Sequence, residues 1–143
     1  MKNTIIIFTV LFLLAQLIRP EKVQTKVDET KALHPPKEVE SIMIKACYDC
    51  HSDKVRYPWY YEIAPLSWTI ASHIKSGREA INFSRWKDIP TDIKQKRLDR
   101  AIHTVGISMM PLPSYTWIHK DAKLTPKEKE TLKSYFESLK ESK

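Results

Sequence analysis

The chain has 143 residues, with 24 Lys and Arg against 17 Asp and Glu, so its formal net charge is +7. This charge is spread along the sequence without a block of like charges, which argues against a nucleic-acid-binding protein and favours a role in solubility or steering. Glycine occurs only twice, and alternating β patterns are absent. The composition therefore predicts an all-α fold.

The chain begins with an apolar run over residues 5–18, preceded by Lys2 and followed by Arg19 and Pro20. Its length suits a signal-peptide core or a short membrane span, and not a part of the fold. No small-residue cleavage site follows it, so we expect residues 1–19 to be an uncleaved signal anchor in preference to a cleaved signal peptide.

The next segment, residues 20–36, mixes charge and proline and is predicted to be a linker. About 120 residues then remain, enough for one small domain over residues 37–143. At its start, Val39, Ile42, Met43 and Ala46 recur with helical spacing, which predicts a helix over residues 37–46.

That helix leads into Cys47-Tyr48-Asp49-Cys50-His51, the attachment signature of c-type haem. Two thiols three positions apart can reach the two vinyl groups of one porphyrin, and the imidazole of the next residue can bind its iron. The motif therefore predicts covalent haem on Cys47 and Cys50, with His51 as the proximal ligand.

The motif is also compatible with two other kinds of site. A thiol–disulfide active site also has Cys-x-x-Cys, although it normally accompanies a βαβ pattern, which this sequence lacks. A structural zinc site needs a fourth ligand, and neighbouring Cys50 and His51 fit one tetrahedron poorly. The candidates for that fourth ligand are His34, His73, His103 and His119.

The remaining domain is predicted to contain an aromatic loop and three helices. The aromatic residues 57–61 either wrap the cofactor or fill the core. A helix begins at Pro65 and ends at Gly77 as a left-handed cap, and a turn covers residues 82–86. Another helix runs from near Pro90 to Gly106, with outward basic residues Lys94, Lys96, Arg97 and Arg100.

The start of the last helix is predicted by Thr125-Pro126-Lys127-Glu128, a capping box with proline at the first helical position. Its apolar stripe, from Leu132 to Leu139, needs a partner helix.

A six-coordinate haem needs a second ligand opposite His51. Met110 precedes Pro111-Leu112-Pro113, a rigid extended stretch that can present its thioether from a loop. Spacing alone does not choose among the candidates, which are Met109, Met110, His73, His103 and His119.

Several segments together resemble the small bacterial haem-binding domain family related to cytochrome c. The resemblance covers roughly residues 37–140. It implies a small cytochrome c-like helical domain, covalent haem on Cys47 and Cys50, His51 as proximal ligand and Met110 as distal ligand, although Met109 is adjacent. The matching segments are residues 47–51, 58–60, 63–68, 77–79, 82–86 and 110–115.

We therefore expect a membrane-tethered monohaem cytochrome that transfers single electrons between redox partner proteins, an electron carrier more than an enzyme. Since c-type haem is attached outside the cytoplasmic membrane, the domain should face the periplasm of a bacterial inner membrane. The alternatives are a haem peroxidase-like or gas-sensing module with an open sixth position, or a thiol redox or zinc protein.

Overall fold

The computed structural model describes residues 1–22 and 26–141. Within those ranges the chain forms α-helices and 3₁₀ turns without a β-strand, which confirms the all-α class. The 3₁₀ turns cover Trp59–Glu62, Phe83–Asp88 and Lys120–Ala122. The helices are α1 (Lys2–Ala15), α2 (Lys37–Ala46), α3 (Tyr48–His51), α4 (Leu66–Ala80), α5 (Thr91–Gly106), α6 (Pro113–Ile118) and α7 (Pro126–Glu141).

The core lies where α2, α5 and α7 pack together. Met43, Leu98, Leu132 and Phe136 are almost completely buried there. The predicted apolar face of α2 is buried along its length, and α5 ends at Gly106 as predicted. Helical periodicity therefore identified the three helices that build the core.

The predicted capping box is present at the start of α7. The Glu128 carboxylate accepts a 2.8 Å hydrogen bond from the Thr125 N–H, and the Glu128 N–H donates a 3.2 Å bond to the Thr125 hydroxyl. Lys45 of α2 lies 2.5 Å from the same carboxylate. These bonds, with that of Lys45 the largest, lower the pKa of Glu128. They connect α2 to the beginning of α7.

The prediction that Gly77 ends a helix is wrong. α4 continues through Gly77 to Ala80, and no glycine in the described part of the chain has a positive φ. A Cβ atom at position 77 would lie 2.6 Å from the carbonyl oxygen of Cys50. Glycine is needed at this position because α4 packs directly on the backbone of α3.

The apolar N-terminal run forms α1, which has 14 residues, none of them buried. Among the described residues, no helix combines the length and the apolar character needed to cross a membrane. The helix ends at Ala15, and the residues that follow it contact the domain.

Part of the segment predicted to be a linker also contacts the domain. The Leu33 N–H donates a 2.8 Å hydrogen bond to the carbonyl of Phe83, and Ala32 is buried. The Lys31 carbonyl accepts a 3.0 Å bond from the Lys87 N–H. Residues 23–25 of the predicted linker and 142–143 of the predicted domain lie outside the described residues.

Candidate functional site

A cavity of about 770 Å³ opens between α3, α4, α5 and the loop before α6. Its walls are mostly apolar and include Phe83 and Phe136, whose rings stack with centroids 6.2 Å apart. Cavities that hold cofactors and other small molecules typically measure about 300–1,000 Å³ and are largely apolar. This cavity is therefore the candidate site.

Both cysteines of the motif line the cavity as free thiols. Cys47 precedes α3, and Cys50 lies within that short helix. Burial raises the pKa of Cys47 to about 12 and that of Cys50 to about 11. A thiol–disulfide active site needs a lowered thiol pKa. These two cysteines therefore lack the property on which the thiol redox alternative depends.

The imidazole of His51 lines the same cavity in a defined tautomer. Its Nδ1 lies 3.1 Å from the Ile81 carbonyl oxygen. Because that oxygen can only accept, Nδ1 carries the proton and Nε2 keeps its lone pair. Burial lowers the pKa of His51, which favours the neutral ring. Histidines that bind metals commonly have this arrangement.

The segment that orients His51 is held by a residue just after the motif. Asp53 is buried, and its carboxylate accepts 3.0 Å hydrogen bonds from the Asn82 amide and the Arg85 guanidinium. The Asp53 N–H donates a 3.0 Å bond to the Ser84 hydroxyl. Residues 82–86, which the sequence predicted only as a turn, are therefore hydrogen-bonded to the segment that follows the motif.

Asp49, between the two cysteines, connects the motif to α6. Its carboxylate accepts hydrogen bonds from the Arg56 guanidinium at 3.1 and 3.2 Å and from the Tyr115 hydroxyl at 2.7 Å. Burial and this bond raise the pKa of Tyr115. Sequence reasoning missed the contact because 66 positions separate Asp49 from Tyr115. A carboxylate within the motif was the available signal.

Met109 and Met110 both line the cavity. Met110 packs against the hydrophobic core, whereas Met109 is 53% exposed. Their N–H groups donate to the Thr104 carbonyl at 2.9 Å for Met109 and 3.1 Å for Met110, which places the loop at the end of α5. Met110 is therefore the better-packed thioether beside the motif, and its assignment as distal ligand stays a prediction.

The prediction that the basic residues of α5 lie mostly outward is confirmed for Lys96 and Arg100, which are exposed. Lys96, Arg97 and Arg100 line the cavity, whereas Lys94 lies over the Trp86 ring at 5.1 Å. They share the cavity because α5 forms one of its walls and residues three and four apart lie on one helix face. Cations beside an apolar cavity suit a ligand that carries carboxylate groups.

The other histidines fall into two groups. Among the described residues, those that line the cavity include His73 of α4. They do not include His34, His103 or His119. The Nε2 of His119 lies 2.6 Å from the Tyr60 hydroxyl. The Nε2 of His34 lies 2.7 Å from a backbone carbonyl. Of the four, His73 alone shares the candidate site.

The aromatic residues after the motif lie away from the cavity, since none of them is among its described lining residues. Tyr57 and Tyr61 pack together with ring centroids 4.6 Å apart, and Lys22 lies over both rings. For Tyr57 and Tyr61 this arrangement favours packing within the protein over wrapping the cofactor, whereas Trp59 is 77% exposed.

The residues of the cavity fit a haem group. Two thiols, a neutral imidazole with an available Nε2 and two thioethers surround a mostly apolar space, with basic side chains placed to meet propionates. The described residues contain no group of three or more His, Cys, Asp or Glu side chains able to hold a metal ion.

The sequence model of the haem-binding domain family matches residues 10–138. The matched region contains the motif, the Met-Pro loop and every described residue that lines the cavity. No curated protein and no solved structure matches the chain. The family match covers most of the chain, so the protein binds haem and belongs to the haem-binding domain family.

Proposed function

We propose that the protein is a monohaem c-type electron carrier. Cys47 and Cys50 would hold the porphyrin covalently, and His51 and Met110 would both bind its iron. The observation that carries this proposal is that these four side chains line one cavity of suitable size.

Each group has a defined task in this proposal. The Ile81 carbonyl keeps the proton on Nδ1 of His51, so Nε2 is free to bind iron. When bound, haem supplies an iron centre that accepts and releases one electron. The apolar walls would keep water from the site, and Lys96, Arg97 and Arg100 would neutralise the propionates. A His–Met ligand pair favours a high reduction potential.

We further propose that the protein acts on the periplasmic side of a bacterial inner membrane, with residues 5–18 as its membrane attachment. Covalent haem attachment takes place outside the cytoplasm, and the run is almost entirely apolar. The partners would be redox proteins that exchange single electrons with the haem. The net charge of +7 favours acidic partners.

The test is the absorption spectrum, oxidised and reduced, of protein produced with a haem-maturation system, followed by acid–organic extraction. We expect the pigment to remain on the chain after extraction. His51→Ala should abolish the normal spectrum, whereas His34→Ala, at an exposed histidine outside the cavity, should preserve it. Complete extraction of the haem, or production of haem-free protein, would contradict the proposal.

A gas-sensing or peroxidase-like module requires an open or displaceable sixth position. Carbon monoxide added to the reduced protein separates the two functions. An electron carrier with Met110 bound should keep its spectrum, and a rapid complete shift would favour the sensing function.

A further inference from the structure

The N-terminal segment and the domain meet at a contact surface formed by residues 16–22 and 61–68. The Gln16 side chain accepts a 2.9 Å hydrogen bond from the Ala64 N–H and donates a 3.3 Å bond to the Ala64 carbonyl. The Trp68 indole N–H donates a 2.7 Å bond to the Ile18 carbonyl. The last residue of the apolar run therefore contacts the domain directly.

The residues after Ile18 continue this contact surface. Glu62 pairs with Arg19 at 3.4 Å and with Lys22, and these cations lower the pKa of its carboxyl, with the Lys22 bond the larger cause. The Tyr61 hydroxyl donates a 3.3 Å bond to the Glu21 carbonyl. Residues 16–22 therefore lie along the domain and do not act as a tether at this point.

α1 is apolar on all sides. Ile5, Phe8, Leu11 and Leu13 point in different directions around the helix, and each is more than half exposed. A helix of this kind normally lies in a protein core or in lipid. A second copy of the chain would cover one side of it, whereas lipid covers all sides. We therefore take lipid as its surroundings.

The domain surface beside α1 has the composition of a lipid–water boundary. Leu66 is 49% exposed and Trp68 is 38% exposed. Arg19 and Lys22, both paired with Glu62, contribute two cations to the same contact surface. Tryptophan is enriched where membranes meet water because its ring is apolar and its N–H is polar, and cations favour anionic lipid headgroups.

We propose that the face of the domain containing Leu66 and Trp68 rests on the surface of an anionic bilayer, with α1 inserted in the lipid. This inference rests on the membrane attachment in the proposed function and adds an orientation. The fourteen residues of α1 measure about 21 Å, less than the roughly 30 Å of a hydrocarbon core. The face is held at the lipid because Gln16 and Ile18 are bonded to it.

The test uses full-length holoprotein in vesicles of phosphatidylcholine and phosphatidylglycerol. A nitroxide is attached to a ketone-bearing amino acid placed at Leu66, or at Ile107 as a control that is 54% exposed and outside the contact surface. Lipid-soluble oxygen should relax the label at 66 severalfold more than a water-soluble nickel chelate does. The label at 107 should show the opposite preference. Equal behaviour at the two positions would overturn the orientation.

Flotation of the same vesicles measures membrane attachment separately. Protein that floats with a water-exposed label at 66 would overturn the orientation and leave the attachment standing. Protein that does not float would overturn both. The haem spectrum of each sample reports the electron-carrier proposal independently and shows that the labelled protein is folded.

Two substitutions, one within α1 and one just after its end, test whether the bonds to Ala64 orient the domain. Gln16→Leu keeps the segment apolar but removes both bonds to Ala64, so flotation should persist while the label at 66 gains contact with nickel. Thr9→Val is the matched control because the Thr9 hydroxyl bonds to the Ile5 carbonyl within α1. Unchanged accessibility in Gln16→Leu would overturn the role assigned to Gln16 in holding this face, because the Trp68 bond to Ile18 remains in that variant.

Discussion

The Tyr115 hydroxyl donates a 2.7 Å hydrogen bond to the Asp49 carboxylate, so the residue between the two cysteines is bonded to the helix that follows the Met-Pro loop. Arg56 binds the same carboxylate and balances its charge. The motif and the helix after the Met-Pro loop are therefore connected through one buried carboxylate. A change in this bond should be detectable at the distal ligand.

Tyr115→Phe should leave haem covalently attached but weaken the sulfur–iron charge-transfer band, because α6 loses its bond to the motif. The free energy of unfolding should fall by about 1.5–3 kcal/mol, the usual range for a hydrogen bond to a charged group. Urea unfolding and absorption spectra measure both effects. Tyr135→Phe, in α7, is the control and should preserve the band. Equal bands in the two variants would contradict the role of Tyr115.

Met110→Ala should abolish the charge-transfer band and lower the reduction potential, because the sulfur ligand would be lost. Met109→Ala should leave both nearly unchanged, since Met109 is largely exposed. Spectra and potentiometry of the two variants measure this. The reverse pattern would assign the ligand to Met109, and no change in either would direct attention to His73, which shares the cavity.

Gly77→Ala should lower the free energy of unfolding by about 1–3 kcal/mol, as expected when a methyl group enters a packed interface. The added Cβ would approach the Cys50 carbonyl oxygen to 2.6 Å, so α4 must move away from the motif. The yield of holoprotein should fall as well. Gly106→Ala is the matched control, because a Cβ there has no neighbour within 4 Å. Similar stability in both variants would show that α4 can adjust.

Glu128→Gln should reduce stability at pH 7 by about 0.5–1 kcal/mol, because the charged partner of Lys45 is lost from a partly exposed pair. The pKa of Glu128 is lower in the folded protein than its ordinary value of 4.5. Its stabilising contribution is therefore complete above pH 4.5 and is lost as the pH falls through the folded-state pKa.

Urea unfolding of Glu128→Gln and the unmodified protein across pH measures this difference. The two stability curves should converge in acid. Glu130→Gln, whose side chain is 71% exposed, is the control and should have little effect at any pH. A gap for Glu128→Gln that is constant across pH would contradict the assignment.

Replacing both Lys96 and Arg100 by Gln should lower the reduction potential, because positive charge beside the cavity favours the reduced iron. Lys94→Gln is the control, since Lys94 lies over Trp86 instead. Potentiometry measures the shift. An unchanged potential with a weaker salt dependence of electron transfer would indicate that these residues dock a partner and do not act on the iron.

The parts of the fold that could be predicted depend on nearby residues. The apolar face of α2 and the capping box of Thr125 and Glu128 are visible because their members are three or four positions apart. The motif is equally local, so Cys47, Cys50 and His51 could be identified as one group before the structure was known.

The parts that sequence reasoning missed depend on contacts between distant segments. The sequence predicts that Gly77 caps a helix. In the structure, glycine is needed there because α4 lies close to the backbone of Cys50. The charge pattern of α5 predicts that Lys96 and Arg100 lie on a solvated helix face, because nothing in that pattern indicates the cavity. The bond between Asp49 and Tyr115 joins residues 66 positions apart, and the carboxylate within the motif is its only local sign.

Hydrogen bonds connect the His51 ring and the segment just after it to the same two consecutive residues. Ile81 binds the imidazole, the next residue, Asn82, binds Asp53, and Asp53 follows His51 by two positions. The ring and its support therefore cannot move independently of each other. In an electron carrier, such restraint keeps the reorganisation energy of the proximal ligand low, and a low reorganisation energy permits fast transfer at a small driving force.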